Sequence, residues 1–498
     1  MANGVDTGHG APGGGAMLRA DAEVAEGYTA FKLEQRGIEH VADADRKLRP
    51  AGLFWMWAGG IWNVEFLVYG ALIVAFGLTF WQAVFAILLG NVVYVFLGAA
   101  SLAGPRSGTT TFMVSRAAFG RNGNRAPSLF NWITQVGFEV EGLVIAVLIA
   151  VAMFSHEGIH LNDTGKTIAI IIAVLIQFVV PFLGHATITK VLHYLSFVFI
   201  VVFAIMACLV LPHVHLSHLP AHGTDSWWLW TTGLVLVVSA GGLGWTENAA
   251  DYSRYLPADT SPAKTFWAAT LGGAIPSILL ELLGACAYLV STSLQSNIYG
   301  PGAAAALPTA FASWFFWPFL ILALPQLFAI NTLDMYSSGV TLQALGLPAK
   351  RWVCVVIDTI ISGGVTALVI FKGNFYTDLA GFLDYIVVWL GAWFGVYIVD
   401  YWLRRGRYEF SSLAAKHGGL YWRNGGFNWK ALFSLGAGMF AAMMWIDAAF
   451  YTPSYSSPLS NWSHGADFSW AFGFLVSAII YYVLSFRSVP REVRAGRS

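Results

Sequence analysis

Eight carboxylic acids stand inside long apolar runs of this chain: Glu65, Glu139, Glu141, Glu247, Glu281, Asp334, Asp358 and Asp384. A charge at the centre of a bilayer costs about 2.5–3.5 kcal/mol even on the lenient insertion scale, so such residues usually face a cavity or a partner. No Lys or Arg lies deep in the same runs. The acids must therefore be protonated, hydrogen-bonded, hydrated or paired with something from outside, and a coupling cation, H+ or Na+, fits the last role. Singly, each acid fits a neutral helix contact equally well. As a set without counter-ions they point to cation coupling, with Glu65, Glu139 and Glu247 the candidates and Glu141 set off to the side of the Glu139 face.

Two of these acids share a pattern with helix-weakening glycine. Ala58-Gly59-Gly60-Ile61-Trp62-Asn63-Val64-Glu65 and Ala240-Gly241-Gly242-Leu243-Gly244-Trp245-Thr246-Glu247 both read AGGxxxxE. Glycine-interrupted helices at corresponding positions of two halves mark a transporter's substrate site. Freed backbone groups are tolerated there because they line a cavity instead of lipid. The competing reading is that paired glycines only let helices approach closely.

The elements that must position these residues are membrane helices. Hydrophobic residues make up 57% of the 498 and charged residues 11%, against about a quarter charged in a soluble domain; mean hydropathy is +0.63. Runs of roughly 20 apolar residues predict twelve spans near 52–76, 81–103, 128–154, 167–183, 191–212, 228–256, 267–292, 314–345, 350–371, 376–403, 429–450 and 468–486. All of the 27 Lys and Arg except Lys166 and Lys372 fall in alternate loops and the two ends. Basic loops are cytoplasmic, so both termini are expected inside, in a cell (inner) membrane, with an even number of spans. Five spans separate the two glycine–glutamate segments, which suits two five-helix repeats inverted in the membrane, 51–212 and 228–403. A cytoplasmic loop at 404–428, two further helices within 429–486 and a cytoplasmic tail, 487–498, complete the chain.

Residues 1–50 form a cytoplasmic segment whose glycine-rich beginning is expected to be disordered, and no cleavable signal peptide is expected. The loop 213–222 carries His213, His215, His218 and His222; nothing fixes a ligand geometry, so it reads as a solvated loop. Cys208, Cys286 and Cys354 lie far apart and form neither a disulfide framework nor a metal knuckle. Zero net charge gives no field for nucleic acid. There is no HExxH, no GxSxG within a span and no pair of intramembrane histidines, which argues against an enzyme. No cofactor is expected, and the oligomeric state is open.

At these residues the chain resembles the first nucleobase–cation symporter family, in its purine–cytosine permease branch. The carriers are Gly37-Ile38-Glu39, Gly104-Pro105-Arg106-Ser107-Gly108, Ser115-Arg116-Ala117-Ala118-Phe119-Gly120, Gly244-Trp245-Thr246, Asp251-Tyr252-Ser253-Arg254-Tyr255-Leu256-Pro257, Tyr336-Ser337-Ser338 with Leu342-Gln343-Ala344-Leu345, and Asp400-Tyr401 before Arg404-Arg405-Gly406-Arg407-Tyr408. Their order and spacing, across almost all of the chain after residue 36, make the likeness specific.

The resemblance implies an all-α, leucine-transporter-like fold with discontinuous first and sixth helices and two additional C-terminal helices. It implies a substrate between those helices and the third and eighth. Trp245 matches the family's sixth-helix tryptophan, which stacks on a flat heterocycle. Phe138 stands where the family often has tryptophan, and Asn331 and Asp334 stand in an eighth-helix pattern resembling Asn-Asn-x-x-Asn. Helical spacing adds Gln135, Glu139 and Gly142 on one face of the third span, and Gly60 lies in the first glycine pair. Asp334 replaces an amide: a carboxylate accepts two N–H donors where an amide offers one donor and one acceptor, which favours a donor-rich or cationic heterocycle. Counting back to the family's sodium-site hydroxyls reaches Phe328 and Ala329, which carry no side-chain oxygen, so H+ is favoured over Na+. The expected function is symport of a nucleobase or related N-heterocycle by alternating access. The alternatives are the same fold carrying allantoin, a hydantoin, a vitamin precursor or an amino acid, a receptor that does not translocate, or an intramembrane enzyme.

Overall fold

The computed structural model describes residues 28–214, 229–298, 306–372, 375–448 and 454–495. The glycine-rich start and residues 215–222 of the histidine-bearing loop lie outside the described residues. Helices account for nearly all regular structure: α1 (Pro50–Ile61), α2 (Val64–Ala75), α3 (Phe80–Asn91), α4 (Tyr94–Ser101), α5 (Thr111–Phe119), α6 (Arg125–His156), α7 (Asp163–Leu183), α8 (His185–Val210), α9 (Leu229–Ala240), α10 (Ala249–Ser253), α11 (Pro262–Val290), α12 (Phe316–Leu345), α13 (Arg351–Lys372), α14 (Phe375–Arg404), α15 (Trp429–Met443), α16 (Ser469–Ser485) and α17 (Ser488–Ala495). A two-residue antiparallel pair, Asp447–Ala448 with Tyr455–Ser456, lies between α15 and α16.

The distribution of polarity is that of a protein whose solvent is lipid. One stripe of α7 exposes Ile168, Ile171, Ile172, Leu175, Ile176 and Val179 to 50% or more, while Glu65, Glu139, Glu141, Glu247 and Asp334 are all buried. Among the described residues, eight helical segments are long and apolar enough to cross a bilayer, or up to ten when two bent pairs are each taken as one span. Each expected span contains helix, but not always enough to cross on its own. α15 has 15 residues, about 22 Å at about 1.5 Å per residue, short of the ~30 Å hydrocarbon core.

Local chemistry sets the breaks. Pro50 occupies the first turn of α1, where its missing N–H costs nothing. α1 and α2 meet at 59° across Trp62 and Asn63, and Asn63 Oδ1 caps α2 by accepting the Glu65 N–H at 2.9 Å. The expected glycines are not the hinge here: Gly59 and Gly60 remain inside α1. A Cβ on Gly59 would lie 2.8 Å from the Leu192 carbonyl carbon of α8, and one on Gly60 would lie 2.6 Å from Leu333 Cδ1 of α12. In this segment the glycines serve close packing, and the break falls two residues later. In the second segment the glycines do lie in the break, because α9 ends at Ala240 and a turn through Gly241–Trp245 leads to a 3-10 turn at Thr246–Asn248. Gly184, at φ +107°, makes the turn from α7 into α8, a conformation that a side chain would strain.

Candidate functional site

The break between α9 and α10 carries Trp245 to the wall of α6. The rings of Phe138 and Trp245 face each other with centroids 6.2 Å apart and planes 13° from parallel. Trp57 of α1, fully buried, meets Trp245 edge-on at 5.6 Å, and Phe382 of α14 meets Phe138 edge-on at 5.3 Å. Gly137 leaves room for that contact, since a Cβ there would lie 3.1 Å from Phe382 Cε1.

Polar groups border the two rings. Gln135, one turn before Phe138, donates from Nε2 to Glu247 Oε1 at 3.1 Å and accepts from Asn248 Nδ2 at 3.1 Å. These bonds fasten the broken sixth span to α6. The second oxygen of Glu247 and Asp334 Oδ1 are buried without a protein partner. Such groups are costly to leave unsatisfied and mark a place for a ligand, a proton or water. Asp334 lies within electrostatic reach of Glu65, Glu139, Glu141, Glu247 and Asp358, so it is the common neighbour of the buried acids. Glu141, set aside on helix angle, takes the hydroxyl of Tyr69 in α2 and adjoins Glu65 and Asp334.

The structure separates residues that helical spacing placed on one face. Gln135 and Phe138 look toward the broken sixth span. Glu139 neighbours Asp358 and Ser362 of α13, and both its carboxylate oxygens lack a hydrogen bond. Asn331 donates to the Glu139 carbonyl at 3.0 Å and to Gln177 Oε1 of α7 at 2.7 Å, so its amide brackets three helices in this conformation instead of facing the rings. Gly142 makes space for that bracket, because a Cβ there would lie 2.7 Å from Asn331 Cγ. Gly60 lies in the last turn of α1, where a helix leaves its final carbonyls without an intrahelical partner. On the eighth-span helix, the Thr332 hydroxyl stands one turn beyond Phe328 and donates back to the Phe328 carbonyl at 2.8 Å.

Three participants were missed: Trp57, Asn248 and the Tyr69–Glu141 pair. Asn248 directly follows the Glu247 motif and could have been found there. Trp57 and Tyr69 carry no local signal among so many aromatics, since only the packing of α1 and α2 brings them to the site.

The basic face beneath the site is closed. Arg254, fully buried, donates to the Gly37 carbonyl at 2.6 Å, to the Tyr336 hydroxyl at 2.7 Å and to the Tyr255 hydroxyl at 3.3 Å. Glu34 accepts the Tyr255 hydroxyl and the His185 N–H, and Arg351 reaches its carbonyl at 3.2 Å. Residues 28–49 thereby join α8, α10, α12 and α13. Nearby, burial lowers the Arg116 guanidinium to about 9, with repulsion from Arg121 and Arg125 adding to it.

An all-helical membrane body with two broken spans around a buried aromatic and acidic site defines a multi-pass transporter. The chain belongs to the permease family for cytosine/purines, uracil, thiamine and allantoin, whose signature matches residues 40–473, the purine–cytosine permease branch of the first nucleobase–cation symporter family. It is similar to the Bacillus subtilis (strain 168) protein YxlA, with 28% identity over 91% of this chain and 96% of that one. It is also similar to purine-cytosine permease fcyB of Emericella nidulans, with 26% identity over 91% and 88%. Its fold matches Mhp1, a nucleobase-cation-symport-1 family transporter solved closed with bromovinylhydantoin, at a TM-score of 0.71 and 18% identity over 93% of this chain and 95% of that one. The leucine-transporter-like fold expected from the sequence is the fold the chain has, and the relatives are permeases, not enzymes.

Proposed function

We propose that the protein imports a nucleobase or related N-heterocycle together with a cation, by alternating access between the two sides of the membrane. The observation that carries this reading is the near-parallel Phe138–Trp245 pair bordered by polar side chains. A planar ring held between two aromatic faces needs two contacts of about 3.5 Å, or ~7 Å between the outer rings. The centroids are 6.2 Å apart, which sets an upper limit on the gap, so the two rings must part by about 1 Å or more to admit a ligand. The family relationship and the name of fcyB support a purine- or cytosine-like cargo, and both termini are assigned to the cytoplasm on loop charge.

For the cation, H+ is favoured over Na+. The buried acids around Asp334 have no Lys or Arg partner among the described residues, and carboxyls can take up and release protons. Phe328 and Ala329 supply no hydroxyl for sodium. For the cargo, the Asp334 carboxylate, whose buried Oδ1 has no protein partner, favours a ligand with two adjacent N–H donors, such as a guanine-like edge, or a cationic heterocycle.

The test is uptake of labelled cytosine, hypoxanthine and guanine into proteoliposomes, with counterflow to separate a carrier from a receptor. Competition by planar N-heterocycles and loss of uptake in Phe138→Ala are expected. Transport of a non-planar solute, unaffected by any heterocycle, would overturn the reading.

A further inference from the structure

A pocket of about 440 Å³ opens on the basic face where the N-terminal segment meets the first turns of α1 and α8. Its walls include Lys47, Arg49, Lys190, His193, Tyr28 and Thr189. Lys47, Arg49 and Lys190 are exposed, and among the described residues no acid pairs with any of the three. The Lys190 ammonium instead lies over the Phe31 ring, 5.1 Å from its centroid. Three exposed cations with no internal counter-charge line one cavity, a field that favours an anion there.

The surroundings of the pocket identify the anion. Continuing along α8 from His193, the residues Tyr194, Phe197, Val198, Val201 and Ile205 recur at helical spacing and are 64%, 48%, 46%, 58% and 37% exposed. They form an apolar stripe running from the mouth of the pocket toward the membrane centre. Trp55 of α1 stands between the two zones, with its ring 6.1 Å from that of His193 and 4.9 Å from that of Phe197. A cationic cradle at the membrane boundary, continuous with a strip of exposed hydrocarbon-facing side chains, matches an anionic headgroup and its acyl chain. A free phosphate would use the cradle and leave the stripe unused.

We propose that this pocket binds an anionic phospholipid, the headgroup phosphate lying among Lys47, Arg49 and Lys190 and an acyl chain along the exposed stripe of α8. The lipid would join the N-terminal segment to α1 and α8, which already pack on each other, the Ser196 hydroxyl donating to the Trp55 carbonyl at 3.0 Å.

Native mass spectrometry of the full-length protein, exchanged from detergent micelles carrying phosphatidylglycerol and phosphatidylcholine, reads the preference directly. Wild type is expected to retain phosphatidylglycerol over phosphatidylcholine and to melt at a higher temperature in its presence. Each cation near a membrane surface contributes a factor of about five, so the triple variant Lys47→Ala/Arg49→Ala/Lys190→Ala should lower the retention ratio by about a hundredfold. The exchange Lys47→Arg/Arg49→Lys/Lys190→Arg should keep it, and Lys264→Ala/Lys350→Ala/Lys416→Ala, which removes equal charge elsewhere, should leave it unchanged. Soluble glycerophosphoglycerol, the headgroup without chains, should not raise the melting temperature. Wild type retaining both lipids equally would overturn the proposal, a result independent of how any variant folds. So would an equal loss in the Lys264/Lys350/Lys416 control, or stabilisation by the soluble headgroup matching that by the lipid.

Discussion

Removing the Phe138 ring is the most direct perturbation of the proposed site. Phe138 faces Trp245 with centroids 6.2 Å apart and planes at 13° and is only partly buried, so one face of the ring becomes available to a ligand once the two rings part by about 1 Å or more. Base–aromatic stacking contributes about 1–3 kcal/mol per ring by alanine substitution. Phe138→Ala should therefore weaken heterocycle binding by roughly 5- to 150-fold. The same substitution gives up the edge contact with Phe382 at 5.3 Å, and a stability cost below the ~3–5 kcal/mol of a fully buried Phe→Ala is expected. Isothermal titration on purified protein gives the affinity, and thermal unfolding in the absence of ligand gives the stability, so the two losses are read separately. Phe138→Trp, which keeps an aromatic face, should retain affinity within a few-fold. A folded Phe138→Ala protein with wild-type affinity would refute the stacking argument and favour a ligand that is not sandwiched.

Four further outcomes are expected. Asp334→Asn should restore a donor–acceptor edge and shift competition from guanine-like toward lactam ligands such as uracil; an unchanged ranking in an uptake competition panel would remove Asp334 from recognition. Uptake should persist without Na+ and collapse with a protonophore, and strict Na+ dependence would refute proton coupling. Arg254→Ala deletes three hydrogen bonds to the N-terminal segment, Tyr255 and Tyr336 and should destabilise the protein by roughly 2–5 kcal/mol, read as a lowered melting temperature; Lys264→Ala, on the exposed surface, should not. Asp467, outside the spans, is raised by burial to about 6, although its carboxylate accepts the N–H groups of Asp447 and Ser469 at 2.7 and 2.8 Å. A folded-state value above the ordinary ~3.9 means the folded protein holds the proton more tightly. The associated stability is full below about pH 4 and is lost as pH rises through 6, amounting to roughly 3 kcal/mol. Asp467→Asn should flatten that part of the melting-temperature profile, and an unaltered slope would exclude Asp467 as its source.

Much of the architecture is legible in the sequence. Apolar length located the helices, because a lipid solvent forces every spanning segment to satisfy its own backbone. The family motifs were also legible, yet most of them turn out to build the closed basic face. Asp251 caps Thr111, Ser253 bonds the Ser101 carbonyl, Arg254 holds Gly37, and Arg116 reaches the Ala344 and Leu413 carbonyls. They identified the fold more surely than the cargo site.

The sequence by itself determined that the chain lies in a membrane, that it carries buried acids without counter-ions, and that Trp245 sits beside a glycine break. Periodicity along one helix registers which residues share a stripe, and that information is local. Only the tertiary structure decided that Gly59 and Gly60 pack against α8 and α12 instead of opening α1, because the space a Cβ would need is occupied by Leu192 and Leu333. It decided that Asn331 brackets α6 and α7 while Phe138 faces Trp245, and that Glu141, with Tyr69, adjoins Glu65 and Asp334. Those pairings join residues far apart in sequence, and which of a helix's neighbours each side chain meets is set by how the helices cross.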